Sequence, residues 1–192
     1  MVVPAGPSRD ADLALARSAA LGDREAFEEI VHRHGPGMLR YARRVLHDHG
    51  DAEEAVQDAF VAAWTSLEAF RGDSALRTWL FGLTSHKALD LARRRRPQPV
   101  DAGLVAQRVP DLPADGLTDP QAVAEAADLA RALNRALAEL PYRQRACWLL
   151  VEIEGLSQAE VAEVLGAGPD VVRGQLARAR AALGARMAAW RP

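Results

Sequence analysis

A cluster of prolines divides the chain into two parts. Five prolines lie in the 25 residues from Pro97 to Gln121. A proline inside a helix removes a backbone hydrogen bond and clashes with the preceding turn, so no helix can run through this segment. A length of 192 residues allows one or two small domains. We therefore predict an N-terminal domain over residues 1–96, a linker over 97–120 and a C-terminal domain over 121–192.

The composition predicts that both domains are helical. The chain holds 39 alanines, and only 5% of its residues are aromatic. Alanine loses no side-chain entropy on entering a helix, which favours an all-α fold of two small domains joined by a flexible, acidic linker. No apolar run approaches the roughly 20 residues that span a bilayer, and the N-terminus lacks the pattern of a secretory signal. Cys147 is the single cysteine. We therefore expect a soluble, cytoplasmic protein without a disulfide or stable membrane insertion.

The formal net charge of −2 hides a strong pattern of charge along the chain. Residues 51–58 and 97–128 are acidic, whereas residues 71–96 and 166–192 are basic. The averaged charge is therefore a poor guide to partners. Arginine supplies every basic side chain except Lys87. Arginine binds phosphate and carboxylate groups bidentately, but a GC-rich genome explains the same bias, and composition does not separate these two explanations.

Capping and turn residues predict the helices of the N-terminal domain. Asp51, with Glu54 three residues later, matches an acidic capping box. The helix that follows is expected to direct Phe60 and Trp64 towards the core. The other predicted elements are a short helix over 12–21 closed by Gly22, a longer helical stretch from Ala26 to Leu46 interrupted around Gly35–Gly37, and a helix opened by Asp73–Ser74.

The C-terminal domain contains a predicted helix-turn-helix. A helix over 123–140 and a second one stopped by Gly155 precede it. Ser157 and Glu160 form a capping box, and Pro169 suits the first position of the final helix. A short helix, a turn with glycine and a longer basic helix are typical of this motif.

The final helix is the first candidate for DNA binding. The early turns of such a helix enter the major groove, where arginine recognises guanine and glutamine recognises adenine. Later arginines more often contact phosphate. The alternative is a solvated basic face on an ordinary packed helix. The candidates for base contact are Asp170, Val171, Arg173, Gly174 and Gln175, and those for phosphate contact are Arg178 and Arg180.

Two further segments have both a functional and a structural interpretation. Residues 70–96 combine a polar loop, Trp79 and an arginine run, as in proteins that bind unstacked bases. However, Trp79 at helical spacing with leucines is equally typical of a core, and basic residues at a helix C-terminus are stabilising in themselves. Residues 51–58 form either a favourable helix N-terminus or an acidic docking face. The histidines at 32, 34, 47 and 49 are expected at the surface, and we predict no metal site or cofactor.

Three motifs in order resemble a bacterial RNA polymerase sigma factor, and more narrowly the extracytoplasmic-function class. They are DAEEAVQDAFVAAW at 51–64, FRGDSALRTWLFGLTSHKALDLARRRR at 70–96 and LPYRQRACWLLVEIEGLSQAEVAEVLGAGPDVVRGQLARARAAL at 140–183. The resemblance covers roughly residues 24–96 and 121–187. It implies two helical domains, known in this family as region 2 and region 4. It also implies a protein without an active site of its own.

The resemblance also implies a role for each segment. The helix from Asp51 would dock on core polymerase, the loop at 70–74 would capture a flipped base of the −10 element, and the final helix would read the −35 element. The implied polymerase contacts are Asp51, Glu54, Gln57 and Asp58. The implied −10 contacts are Phe70, Arg71, Gly72, Asp73, Ser74, Trp79, His86, Lys87, Arg93 and Arg94. The −35 contacts are the seven residues of the final helix named above.

Some positions depart from the family pattern. His86 stands where asparagine is common, and Gly82 where arginine is frequent; Val171 and Gly174–Gln175 also differ from the usual residues.

The expected partners are core RNA polymerase, promoter DNA as duplex and as melted non-template strand, and an anti-sigma factor. The competing hypotheses are a helix-turn-helix regulator that acts without polymerase and a helical adaptor for protein partners. Neither explains why segments 51–58 and 70–96 occur together.

Overall fold

The described part of the protein is entirely helical. The computed structural model describes residues 9–94 and 120–188, and within these ranges it contains eight α-helices and no strand. The all-α fold is therefore confirmed. The predicted linker up to residue 119, residues 1–8, Arg95, Arg96 and Trp190 lie outside the described residues, and Pro120, predicted as the last linker residue, is the first residue of α5. The helices are α1 (Arg9–Ala20), α2 (Arg24–Leu46), α3 (His49–Ser66), α4 (Leu76–Arg94), α5 (Pro120–Ala138), α6 (Tyr142–Trp148), α7 (Gln158–Leu165) and α8 (Pro169–Arg186).

Alanines on α3 form the seam against which α2 and α4 pack. Ala52, Ala55, Ala59 and Ala63 follow one another at helical spacing on α3, and all are fully buried. Their small side chains let α2 and α4 approach α3 closely, and Ile30, Met38 and Leu80 fill the space beside them. The abundance of alanine is thus explained by close helix packing as well as by helix propensity.

Helix α2 is continuous, and the predicted interruption around Gly35–Gly37 is wrong. Pro36 lies inside the helix. Proline removes only one hydrogen bond there, while buried residues on both sides of it, Ile30 and Met38, anchor the helix to the same core. The ring of Phe60 lies 3.7 Å from where a Cβ on Gly35 would stand. Tertiary packing therefore outweighs the local helix-breaking signal.

The N-terminal cap of α3 also differs from the prediction. Asp48, not Asp51, is the capping residue, and its carboxylate accepts the backbone N–H of Asp51 at 2.9 Å. His47 precedes it in the left-handed conformation, with φ of 60°, and ends α2. The helix therefore begins at His49, three residues before Ala52, which would be its first residue if Asp51 were the cap.

The helix-turn-helix in the second half is confirmed. Ser157 and Glu160 form a reciprocal capping box at the start of α7. Gly166 ends α7 with φ of +55°, a conformation that favours glycine. Pro169 occupies the first turn of α8. Helix α6 continues into a π-helical turn over Leu149–Ile153 before Gly155.

The two halves share one core, which the sequence did not predict. Helix α4 packs against α7, and α2 against α5 and the π-helical turn. Tyr41 and Phe81 from the first half join Leu149 and Leu150 from the second in a single buried cluster. The Tyr142 hydroxyl crosses between the halves and donates to the Ser85 carbonyl at 3.2 Å.

Candidate nucleic-acid and polymerase interfaces

Helix α8 places most of its predicted DNA contacts on one exposed side. Its inner face is buried through Val172, Leu176, Ala179 and Leu183 at intervals of three and four residues. Asp170, Val171, Arg173 and Arg178 are exposed on the outside, whereas Gly174 and Gln175 are half-buried. Arg173 forms an ion pair with Asp170 one turn earlier.

Arg180 differs from the other arginines of α8. Its guanidinium donates to the Glu152 carboxylate at 2.8 and 2.6 Å. Glu152 belongs to the π-helical turn, so this pair fixes α8 to the turn that continues α6. Arg186 is paired in the same way with Glu139 of the segment after α5, at 2.6 Å. Arg173 is also paired, but its partner Asp170 is 87% exposed whereas Glu152 is 35% exposed, so the Arg173 pair is the more easily exchanged for a contact with DNA.

The predicted −10 loop is supported by helix α1. Arg9 donates to the carbonyl oxygens of Gly72 and Asp73, each at 3.1 Å. Gly72 has φ of +78°, and a Cβ there would lie 2.9 Å from Cδ1 of Leu13. The positive φ favours glycine at this position, and an added Cβ would make the Leu13 side chain shift. Arg9 and Leu13 were missed by sequence reasoning, because nothing local connects α1 with a loop sixty residues later.

An aromatic pair lies at the base of this loop. The rings of Phe70 and Trp79 are 5.1 Å apart, and both are half-buried against the first core. Arg71 and Asp73 are exposed beside them. Trp79 was expected either in the core or in contact with bases. One part of its ring packs against the first core, and the rest remains accessible to solvent.

The C-terminal part of α4 carries basic residues on its exposed side. His86, Arg93 and Arg94 are exposed, and the Lys87 ammonium lies 3.9 Å from a carboxylate oxygen of Asp58. This contact joins a predicted DNA residue to a predicted polymerase residue across α3 and α4.

The outer face of α3 is acidic and partly apolar. Glu54, Gln57 and Asp58 are exposed, but Asp51 is buried at the start of the helix. Val61 is 59% exposed and Trp64 is 40% exposed. Trp64 was expected in the core; instead it lies at the edge, with one side against Phe27 at 4.9 Å between ring centroids. The acidic patch therefore continues into an exposed apolar one.

Between the two halves lies a cluster of charged residues. The Glu154 side chain is 1% exposed, and its carboxylate accepts hydrogen bonds from Arg40 at 3.1 and 3.2 Å and from Arg77 at 3.1 Å. Arg77 also donates to the Glu154 carbonyl at 2.6 Å. Arg40 and Arg77 come from the first half of the chain and Glu154 from the second. We call these three residues the Glu154 cluster.

Neighbouring polar groups extend this contact. The Thr78 hydroxyl donates to Glu160 at 3.0 Å. Burial alone would raise the pKa of Glu160, but hydrogen bonds from Ser157 and Thr78 outweigh it and lower the pKa. Burial raises the pKa of Tyr142 to about 12 and that of Cys147 to about 11. Burial is the main cause of both shifts, and Cys147 lies in the core cluster that the two halves share, with Tyr142 packed against it.

The described residues offer neither a metal site nor a membrane span. Within residues 9–94 and 120–188, no group of three or more histidine, cysteine, aspartate or glutamate side chains could hold a metal ion. No helix in those ranges is long and apolar enough to cross a membrane. His34 is buried, contrary to prediction, with Nε2 3.2 Å from an Asp12 carboxylate oxygen. This pair joins α1 to α2, and burial lowers the pKa of His34.

Two helical units, one with a helix-turn-helix, together with an exposed basic helix face are typical of a DNA-binding protein. The family model for sigma-70 region 2 matches residues 30–98, and the model for sigma-70 region 4 matches residues 130–183. The RNA polymerase sigma factor CnrH of Cupriavidus metallidurans is 39% identical over 182 residues, which cover 92% of this chain and 94% of CnrH. The ECF RNA polymerase sigma factor SigM of Mycobacterium tuberculosis is 34% identical over 91% of this chain and 82% of SigM.

Solved structures agree with the sequence comparison. CnrH in complex with the cytosolic domain of CnrY matches with a TM-score of 0.68 and 36% identity, over 94% of this chain and 99% of that one. Sigma factor RpoE in complex with the anti-sigma factor NepR from Bartonella quintana shares the fold, with a TM-score of 0.66 and 23% identity over 86% of this chain and 98% of that one.

The chain belongs to the extracytoplasmic-function class of RNA polymerase sigma factors. It binds core RNA polymerase and directs promoter-specific initiation of transcription. Sigma factors as a family are not enzymes.

Proposed function

We propose that three exposed surfaces make separate contacts during initiation. The outer face of α8 contacts the −35 element, the loop at 70–74 with α4 contacts the −10 element, and the outer face of α3 contacts core polymerase. The observation that carries this proposal is the separation of side chains on α8, where an apolar face is buried and Asp170, Val171, Arg173 and Arg178 project outward. Arg173 would contact base edges in the major groove of the −35 element, and Arg178 would contact phosphate. Arg180 would contribute less, because its ion pair with Glu152 is less exposed to solvent than the pair of Arg173 with Asp170.

The loop at 70–74 and α4 form the proposed −10 surface. A base that leaves the duplex loses stacking, and a protein pocket compensates for that loss. Phe70 and Trp79 supply aromatic surface next to the exposed Arg71. Lys87, Arg93 and Arg94 supply positive charge for the backbone of the non-template strand.

The outer face of α3 forms the proposed polymerase-docking surface. Its acidic residues Glu54, Gln57 and Asp58 would meet a basic or mixed surface, and the exposed Val61 and Trp64 would add apolar contact area. We leave Asp51 out of this contact set because its side chain is buried.

The remaining assignments follow from the family. We infer that the chain acts in the cytoplasm, where bacterial polymerase works, and that it contributes no catalytic group. We retain 1–96, 97–120 and 121–192 as region 2, linker and region 4.

CnrH is bound to a separate protein, the cytosolic domain of CnrY, and we propose an anti-sigma factor as a partner here. Affinity purification from native cells tests it, and recovery of only free protein and polymerase would count against it.

Surface variants test whether α8 contacts the promoter and α3 contacts core polymerase. Promoters are first selected from random DNA with the reconstituted holoenzyme. Arg173→Ala is expected to weaken promoter binding about tenfold, the value of one good base contact, without changing core binding. Glu54→Lys is expected to weaken core binding in a pull-down. The matched controls are Arg131→Ala on α5 and Glu163→Gln on α7, both exposed. Unchanged binding by both test variants would refute the assignment, and tight sequence-specific binding without polymerase would favour a simple regulator.

A further inference from the structure

One face of helix α1 packs on the core and also faces the loop at 70–74. Asp12 and Ala16 are buried on that face. Arg9 and Leu13 share it, because residues three, four and seven positions apart in a helix lie on the same side. The packing of α1 therefore also determines where Arg9 and Leu13 lie relative to the loop.

Buried polar contacts hold α1 against α2. Nε2 of His34 lies 3.2 Å from Oδ2 of Asp12, and Nη1 of Arg33 lies 3.6 Å from Oδ1 of the same carboxylate. The side chains of Asp12 and His34 are 9% and 6% exposed. Displacing α1 would leave a buried carboxylate without these neighbours, which is strongly unfavourable. Helix α1 is therefore a fixed support, and the groups at its N-terminal end have a defined position.

The loop depends on α1 for its conformation. Nη2 of Arg9 donates to the carbonyl oxygens of Gly72 and Asp73, each at 3.1 Å. In the described part of the chain, residues 71–74 make no other hydrogen bond. The Leu13 side chain packs beside Gly72, since its Cδ1 lies 2.9 Å from the position that a Cβ would take there. Two side chains of α1 thus take the place of the backbone hydrogen bond that closes many turns.

These contacts fix the part of the loop that would receive a base. Arg71 and Asp73 are exposed on either side of Gly72, so the backbone that Arg9 holds also sets the directions of their side chains. A base that leaves the duplex loses stacking, and the protein must compensate for that loss. A loop that is already ordered loses little further conformational entropy on binding, so more of its contact energy is available for the base. Base capture should therefore depend on α1, although α1 lies outside the proposed DNA-binding surfaces.

We propose that α1 holds the loop at 70–74 in the conformation that captures a base of the −10 element, and that Arg9 is the positioning residue. This inference rests on the proposed assignment of the loop to that element; the contact between Arg9 and the loop does not. Arg9 acts on the loop backbone and contributes no contact to the DNA. Its removal weakens the hold on the flipped base and leaves the −35 contacts of α8 unchanged.

The first experiment measures the order of the loop in the free, full chain. Limited digestion with trypsin, followed by mass spectrometry, gives the rate of cleavage between Arg71 and Gly72. Arg9→Ala is expected to raise this rate about fivefold, the effect of losing one exposed hydrogen-bonded contact. Arg17→Ala, at an exposed position of the same helix, is the matched control and should leave the rate unchanged. Equal rates for the wild type and Arg9→Ala, with the same far-ultraviolet circular dichroism, would overturn the positioning role.

The second experiment couples the variant to the captured base. The reconstituted holoenzyme binds a promoter selected from random DNA, in which one non-template nucleotide of the −10 element at a time is made abasic. The position at which an abasic site weakens wild-type binding most identifies the captured base. Arg9→Ala is expected to weaken binding to the intact promoter about fivefold and to have no effect on the promoter that is abasic at that position, because the loop then has no base to hold. Arg17→Ala should match the wild type on both promoters.

The outcomes separate the inference from the proposed function. An equal loss on the intact and the abasic promoter would overturn the positioning role, because a contact with phosphate or a general loss of folding does not depend on the base. A direct phosphate contact would also lower the slope of log affinity against log salt by about 0.7. Faster cleavage of the loop with unchanged promoter binding would show that base capture does not need α1, and would overturn the proposal as well. If no abasic position weakens wild-type binding, the assignment of the loop to the −10 element is itself wrong, and the inference falls with it.

Discussion

Gly72→Ala tests the loop that the structure assigns to the −10 element. Gly72 has φ of +78°, so an L-residue there costs about 1–2 kcal/mol. A Cβ would also lie 2.9 Å from Cδ1 of Leu13, which forces that side chain or α1 to shift. An off-rotamer side chain adds about 1 kcal/mol. The variant should therefore be less stable by about 2–3 kcal/mol.

Urea unfolding followed by circular dichroism measures this effect. With a denaturant slope of about 1–3 kcal/mol/M, the unfolding midpoint should fall by roughly 1 M. Leu13→Ala in the Gly72→Ala background removes the clash but not the backbone strain, so the double variant should show a favourable coupling of about 1 kcal/mol. Gly184→Ala is the matched control with the opposite sign. It lies within α8 with no atom within 4 Å of the added Cβ, and it should stabilise by up to about 1 kcal/mol. A Gly72→Ala protein as stable as the wild type would refute the loop geometry.

Three further predictions concern the caps, the interface and the docking surface. Ser157→Ala should destabilise the protein by about 1 kcal/mol in thermal unfolding because it removes half of the capping box; no change would contradict the cap. Burial raises the pKa of Tyr142 to about 12 and raises that of Tyr41 well above its ordinary value. These groups ionise more readily when unfolded, so stability is complete below about pH 10 and falls as the pH rises towards 12; tyrosinate absorbance that appears near pH 10 in the folded protein would contradict this. Val61→Ala, at a position 59% exposed, should weaken core binding several-fold with little change in stability, whereas Val123→Ala on α5 should change neither.

Local signals in the sequence predict the helices well. The Ser157 capping box, Gly166 and Pro169 fix the helix-turn-helix through short-range hydrogen bonds and backbone geometry, and all appear where predicted. The exposed face of α8 follows from the spacing of Val172, Leu176 and Ala179 alone. These features depend on residues within a few turns of each other, which is why the sequence reveals them.

Long-range packing accounts for what the sequence did not reveal. Pro36 remains helical because α2 is held to a core on both sides of it. Trp64 lies at the edge because alanines such as Ala59 and Ala63 fill the seam of α3. The partners of Glu154 are 114 and 77 residues away. No periodicity in the chain connects such positions, so the contact between the two halves appears only in the structure.

The function itself is tested most directly by runoff transcription. Purified core polymerase is incubated with promoter DNA selected as described above, with and without the full chain. We predict a transcript of defined start only when the chain is present, and its loss or strong reduction when Arg173→Ala replaces the wild type. Absence of a transcript on every selected promoter, together with no retention of the chain on immobilised core polymerase, would contradict the account.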